Sequence, residues 1–272
     1  MLLGGIVKTS TLDYPSLLSA VIFTRGCNFH CPFCHNIDLV RLPRNQSDTR
    51  EPKETREARK TKDTKDKREK RVQKAHAQIE LDPKEPDHGP WPQVEEALAF
   101  LAKRRGLLDG VVVSGGEPTI QPDLPDFLAA IKALGYPIKL DTNGSNPEVI
   151  ENLWHLGLVD YLAVDLKCLP QNYSYFTNDP FISSKISQTI DLVLSSGRNA
   201  EFRTTCLAPF IDRDIISDLA RLAAGPIPLF LQRYRPERVL NPSFMAPYPQ
   251  PSQTDLEAFR LLASRYLSCY LR

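Results

Sequence analysis

The chain has 272 residues, 42% of them apolar and 25% charged, with a formal net charge of +1. This balance suits a folded domain with a substantial core and gives no general attraction to nucleic acid or anionic membrane. No stretch reaches the roughly 18 apolar residues of a membrane-spanning helix, and the start "MLLGGIVKTSTLDYPS" lacks the pattern of a secretory signal, so a cytoplasmic protein is expected.

The first predicted element is a strand over residues 18–24, "LSAVIFT", ended by Gly26. It runs directly into "RGCNFHCPFCHN", where Cys27, Cys31 and Cys34 follow a C-x3-C-x2-C spacing. Three thiolates fall one short of the usual four-ligand zinc or iron–sulfur site. His30 or His35 could complete a zinc set, although His35 follows Cys34 directly and turns back toward the same ion with difficulty. The other three cysteines, Cys168, Cys206 and Cys269, are scattered singly and read as small buried apolar residues.

Asn45 to His76 departs from this pattern. It has no aromatic residue, and Val72 is its only large aliphatic. Asp48 to Lys74 holds twelve Lys and Arg against seven Asp and Glu, an excess of five positive charges in a chain whose total is +1. Such a composition predicts a disordered insertion, which cannot bury enough apolar surface to offset its ordering entropy. A transient charged helix and a basic docking patch are the other readings. The insertion is placed at residues 45–90, with residues 1–44 and 91–272 forming one core domain.

Beyond it, helices and strands alternate. A helix is expected in "WPQVEEALAFLAKRRGLL", then a strand in "GVVVSGG". The helix "PDLPDFLAAIKALGY", with Asp123 as its cap, leads to the strand "PIKLDTNG". Asn146 caps "NPEVIENLWHLGL", with Pro147 at the first helical position, and "VDYLAVDLK" is the next strand. The helix "SSKISQTIDLVLSSG", the strand "AEFRTTCLAP", the helix "DRDIISDLARLAAG" and the strand "IPLFLQRYRP" follow, and "SQTDLEAFRLLASRYLSCYL" closes the chain as a helix. Six strands alternating with helices predict a parallel sheet, either open and doubly wound or an incomplete barrel, with the site at the strands' C-terminal ends. Those ends carry the cysteine triplet, "SGGEPT", "DTNG", "DLK", Arg203 and Gln232–Arg233.

"CNFHCPFC" followed by "GGEP" after the second strand resembles the radical S-adenosylmethionine (SAM) enzymes. The resemblance implies an incomplete (βα)6 TIM-type barrel. It implies a [4Fe–4S] cluster on Cys27, Cys31 and Cys34 whose fourth iron, left open, takes the amino and carboxylate groups of SAM. Phe33 matches a position that contacts adenine. Gly115 and Gly116 let backbone approach a ligand closely, and Glu117 is an anion suited to the methionyl ammonium. Asp141 and Asn143 suit ribose hydroxyls or a cation, or form an Asx turn. Arg203 suits the SAM carboxylate, Gln232 the adenosine, and Lys167 either substrate or cofactor.

More narrowly, "GGIVKTSTLDYPSLLSAVIFTRGCNFHCPFCHN", "LDTNG" and "VDYLAVDLK" resemble activating enzymes of glycyl radical enzymes, in particular the anaerobic ribonucleoside-triphosphate reductase activating protein. That implies reductive cleavage of SAM and hydrogen abstraction from a glycine of a partner enzyme, with a flavodoxin- or ferredoxin-type electron donor. A small-molecule enzyme resembling 7-carboxy-7-deazaguanine synthase is the alternative, and a non-catalytic metal-binding protein a third.

Overall fold

In the computed structural model, which describes residues 1–40 and 90–272, eight strands form a single sheet in sequence order. β1 (Leu3–Ser10) runs antiparallel to β2 (Ser19–Thr24). From β2 onward every pairing is parallel, through β3 (Gly110–Gly115), β4 (Ile138–Thr142), β5 (Tyr161–Asp165), β6 (Ala200–Cys206), β7 (Leu229–Arg233) and β8 (Cys269–Leu271). β1 and β8 are the two ends of this order, so the barrel is incomplete. The charged run Asp48–Lys74 and nearly all of the expected insertion lie outside the described residues.

The helices fall between the strands as expected. α1 (Ile37–Val40) and α2 (Val94–Lys103) separate β2 from β3. α3 (Leu124–Ala133), α4 (Pro147–His155), α5 (Ile182–Ser195) and α6 (Arg213–Leu222) follow β3, β4, β5 and β6 in turn. α7 (Pro242–Met245) and α8 (Gln253–Ala263) follow β7. Local chemistry sets their starts: Asp212 accepts from the backbone N–H of Asp214 and Ile215, and Ser252 and Asp255 form a capping box. Asp123 stands at the cap position of α3 but makes no cap bond; its carboxylate meets the amino group of Met1. Asn146 gives its side-chain N–H to Thr119 Oγ1 instead of capping α4.

Two expectations are corrected. The closing helix ends at Ala263, and Cys269–Leu271 leaves it to add β8 beside β7. The apolar period of "LLASRYLSCYL" suits either state, and the bonds from Leu229 N–H to Ser268 O and from Arg272 N–H to Leu231 O decide for the strand. β1 was not expected, because its two glycines and scattered polar residues weaken the strand pattern.

Strand alternation separates two faces. Ala20, Ile22, Val111, Val113, Ile138, Leu140, Leu162, Val164, Phe202, Leu229 and Leu231 are buried in the main core beneath the helices. The opposite face lines the barrel. At one side it is apolar, with Tyr14, Val21 and Val112 packed by Leu17, Phe23 and Tyr161. Across β4 to β6 it carries Lys139, Asp141, Glu201 and Arg203.

Candidate active site

The three cysteines lie in the loop between β2 and α1, and the chain holds that loop from both sides. On one side, Gly26 and Cys27 donate backbone N–H groups to Leu39 O (2.6 Å) and Val40 O (3.1 Å). On the other, Leu240 and Asn241 donate to Cys34 O (3.1 Å) and Pro32 O (2.9 Å). Underneath, Phe29 and Phe33 are buried against Tyr173, Phe176 and Phe210, with Phe33 ring centroids 5.8 Å from Phe176 and 5.4 Å from Phe210. The sequence pattern did not expose this aromatic bed or the 240–241 strap.

Burial pushes the Cys27 thiol up to about 12 and raises Cys31 and Cys34 as well. Such thiols hold their protons unless a metal displaces them. Among the described residues, no three His, Cys, Asp or Glu side chains gather closely enough for one ion. In an iron–sulfur cubane each thiolate binds a different iron, so the sulfurs stand farther apart than the ligands of a single ion. His35 is exposed, and its Nδ1 lies 3.0 Å from Arg238 O. Cys168, Cys206 and Cys269 are all buried and free, as expected.

The "GGEP" turn after β3 packs directly onto this loop. A Cβ on Gly116 would stand 2.0 Å from Gly26 O, and one on Gly115 2.3 Å from Thr24 N. The two glycines therefore answer to close approach by the chain's own backbone. Glu117 is turned into the protein. It is 1% exposed, and its Oε1 accepts from Thr119 N–H (3.1 Å), Thr119 O–H (2.6 Å) and Thr142 O–H (2.7 Å), while Oε2 accepts from Asn143 N–H (2.6 Å). Burial raises its pKa, and these donors oppose the rise. A carboxylate held in this way braces the turns after β3 and β4 against each other.

From Asn143 the network reaches the cysteines. Its Nδ2 donates to Asn28 Oδ1 (2.9 Å) and lies 4.0 Å from Cys27 Sγ, while Asn28 donates to Ser145 Oγ (2.8 Å). Asp141 faces the barrel and is tied to Lys139 (2.6 Å) and Arg203 (3.1 Å). Burial alone would raise its pKa, but Arg203 and Lys139 outweigh that and hold it at about 2. Arg203 also bonds Asp165 at 2.7 Å. Gln232 is half-buried, paired with Thr205 across β6 and β7. Lys167 Nζ lies 6.0 Å over the Phe33 ring. The structure thus joins the cysteine loop, "GGEP" and "DTNG" by hydrogen bonds, and sets Asp141 and Arg203 in an ion-pair series.

Residues 21–223 match the sequence model of the radical SAM superfamily. The chain belongs to the radical SAM superfamily. A Methanocaldococcus jannaschii protein that carries the provisional name of a glycyl-radical enzyme activating enzyme is 31% identical to it over 271 residues, covering 98% of this chain and 93% of that one. A 7-carboxy-7-deazaguanine synthase of Neisseria meningitidis is 41% identical over 64 residues, 23% of this chain and 27% of that one. Among solved structures, TYW1 with a lysine-pyruvate adduct aligns with a TM-score of 0.51 at 14% identity, over 91% of this chain and 73% of that one. Streptococcus suis SuiB bound to S-adenosylmethionine gives the same TM-score and identity over 69% of this chain but only 45% of its own. At that identity these likenesses speak for the fold, the partial barrel of radical SAM enzymes.

The radical SAM family implies a [4Fe–4S] cluster and SAM. The donor set fits the cluster: one buried and two half-buried thiols on one clamped loop, raised by desolvation until a metal takes their protons.

Proposed function

We propose that this radical SAM enzyme activates a glycyl radical enzyme. The observation that carries the reading is the 31% identity that extends across 98% of the chain to a relative named for that activity. The likeness to the deazaguanine synthase, by contrast, stops after 64 residues, which favours the activating role over small-molecule chemistry. In this reading the cluster and SAM, when bound, supply a 5′-deoxyadenosyl radical able to take hydrogen from a glycine Cα.

The protein's own part is to hold and aim. Cys27, Cys31 and Cys34 bind three irons, and the 240–241 strap keeps their loop in place. Glu117 fixes the turns after β3 and β4 against each other, so that the Gly115–Gly116 backbone has a constant position. Asp141, Arg203 and Gln232 give the barrel wall polar groups for the cofactor's ribose, carboxylate and adenine ends, and Phe33 offers an aromatic edge beside the cysteines. Residues 1–44 and 91–272 act as one domain, with the charged segment inserted in it. The partner is a glycyl radical enzyme of the anaerobic ribonucleotide reductase kind, with a flavodoxin- or ferredoxin-type donor supplying the electron in the cytoplasm. The test is electron paramagnetic resonance after mixing reduced protein, SAM and a candidate partner. A glycyl radical signal is expected, and 5′-deoxyadenosine formed without any such signal on any candidate would overturn the reading.

A further inference from the structure

Seven charged side chains alternate in sign through the barrel. Starting near the cysteine loop they are Lys167, Asp165, Arg203, Asp141, Lys139, Glu201 and Arg272, with successive separations of 3.7, 2.7, 3.1, 2.6, 3.8 and 3.0 Å. Each carboxylate lies between two cations. Lys167, at one end, has one carboxylate neighbour in the series, and that neighbour is more closely engaged by Arg203. Its charge is therefore the less neutralised, and its place is defined: Nζ lies above the ring of Phe33, which sits between Cys31 and Cys34 in the sequence, and its backbone N–H donates to the Tyr173 hydroxyl oxygen at 2.9 Å. Burial works against the charged form, while the Asp165 carboxylate beside it favours the ammonium.

We infer that Lys167 sets the reduction potential of the cluster held by the three cysteines, placing a fixed positive charge beside it at the end of the ion-pair series. The inference rests on Cys27, Cys31 and Cys34 being the cluster ligands, and is independent of which partner is activated. Adding an electron to the cluster adds negative charge, so a nearby cation favours the reduced form; net charge and burial are among the protein's controls on such potentials. Asp165 pulls the other way, since its carboxylate partly cancels Lys167.

The test is a redox titration of anaerobically loaded protein, without SAM or partner, followed by the electron paramagnetic resonance of the reduced cluster and normalised to iron content. Lys167→Gln should lower the reduced-to-oxidised ratio at a fixed potential about tenfold, a shift of about 59 mV for a one-electron couple. Lys167→Arg should restore the wild-type value. Asp165→Asn should move the potential upward, and it decides the matter alone if Lys167→Gln fails to load. Equal potentials in wild type and Lys167→Gln at equal iron content, or a downward shift in Asp165→Asn, would overturn the inference. A wild-type chain that binds no cluster would overturn the cysteine assignment and this inference with it.

Discussion

The carboxylate of Glu117 accepts the backbone N–H of Asn143 at 2.6 Å and so joins the turn after β3 to the turn after β4. Both oxygens face donors only, so an amide cannot replace the carboxylate without setting an N–H group against an N–H or O–H. Glu117→Gln is expected to lose on the order of 1–3 kcal/mol of stability, the cost of an unsatisfied buried group. Chemical denaturation of the two proteins measures it, and an unchanged midpoint would show that the brace bears no weight.

Removing thiols should separate two classes. Cys27→Ala, Cys31→Ala and Cys34→Ala are each expected to abolish the brown colour and the bound iron after anaerobic reconstitution. Cys168→Ala, Cys206→Ala and Cys269→Ala should keep about four irons per chain, the content of one [4Fe–4S] cluster. Iron analysis decides it; a colourless wild type holding zinc would contradict the assignment.

Asp141 ties stability to acid pH. Its native pKa of about 2 lies below the ordinary 3.8, so the unfolded chain takes up protons first. The contribution is complete above about pH 4 and disappears as pH falls through the native value, amounting to on the order of 2 kcal/mol. Arg203→Gln should shrink this dependence. At neutral pH it should also cost about 3–5 kcal/mol, because two carboxylates lose a shared buried partner. Denaturation midpoints of both proteins from pH 5 to pH 2 test this; parallel curves would reject it.

Deleting Asp48 to Lys74 should leave iron content and SAM cleavage near wild type, because the segment's composition supplies no core and no ligand. Ile37–Val40 must be retained, since Leu39 and Val40 accept the N–H groups of Gly26 and Cys27. A deletion that folds and binds iron but cannot cleave SAM would place the segment in the site.

The alternating strands and helices were legible because local periodicity reports which face is buried: β2 to β7 fall within the expected runs. β8 was not, since three residues following a helix carry no period of their own and are strand only through pairing with β7. In the site, the cysteine spacing and the glycines were visible as local motifs. The setting of Glu117 was not, because two of its four donors come from Thr142 and Asn143, some 25 residues away, and sequence shows charge without showing who meets it. The same holds for Asp141 and Arg203, separated by 62 residues and bonded from β4 to β6 past the intervening β5.

The bonds from Leu240 and Asn241 to the cysteine loop also bear on the order of events during synthesis. The loop emerges from the ribosome early, yet part of its scaffold comes some 200 residues later, after β7. Domains fold as their parts become available, so the loop takes its final shape only when nearly the whole chain exists. If Cys27, Cys31 and Cys34 hold the cluster, its loading is expected to be a late step of maturation. A chain ending before Arg238 should leave Cys27, Cys31 and Cys34 quickly alkylated and poor at retaining iron, whereas the complete chain protects them; equal protection in both would refute this timing.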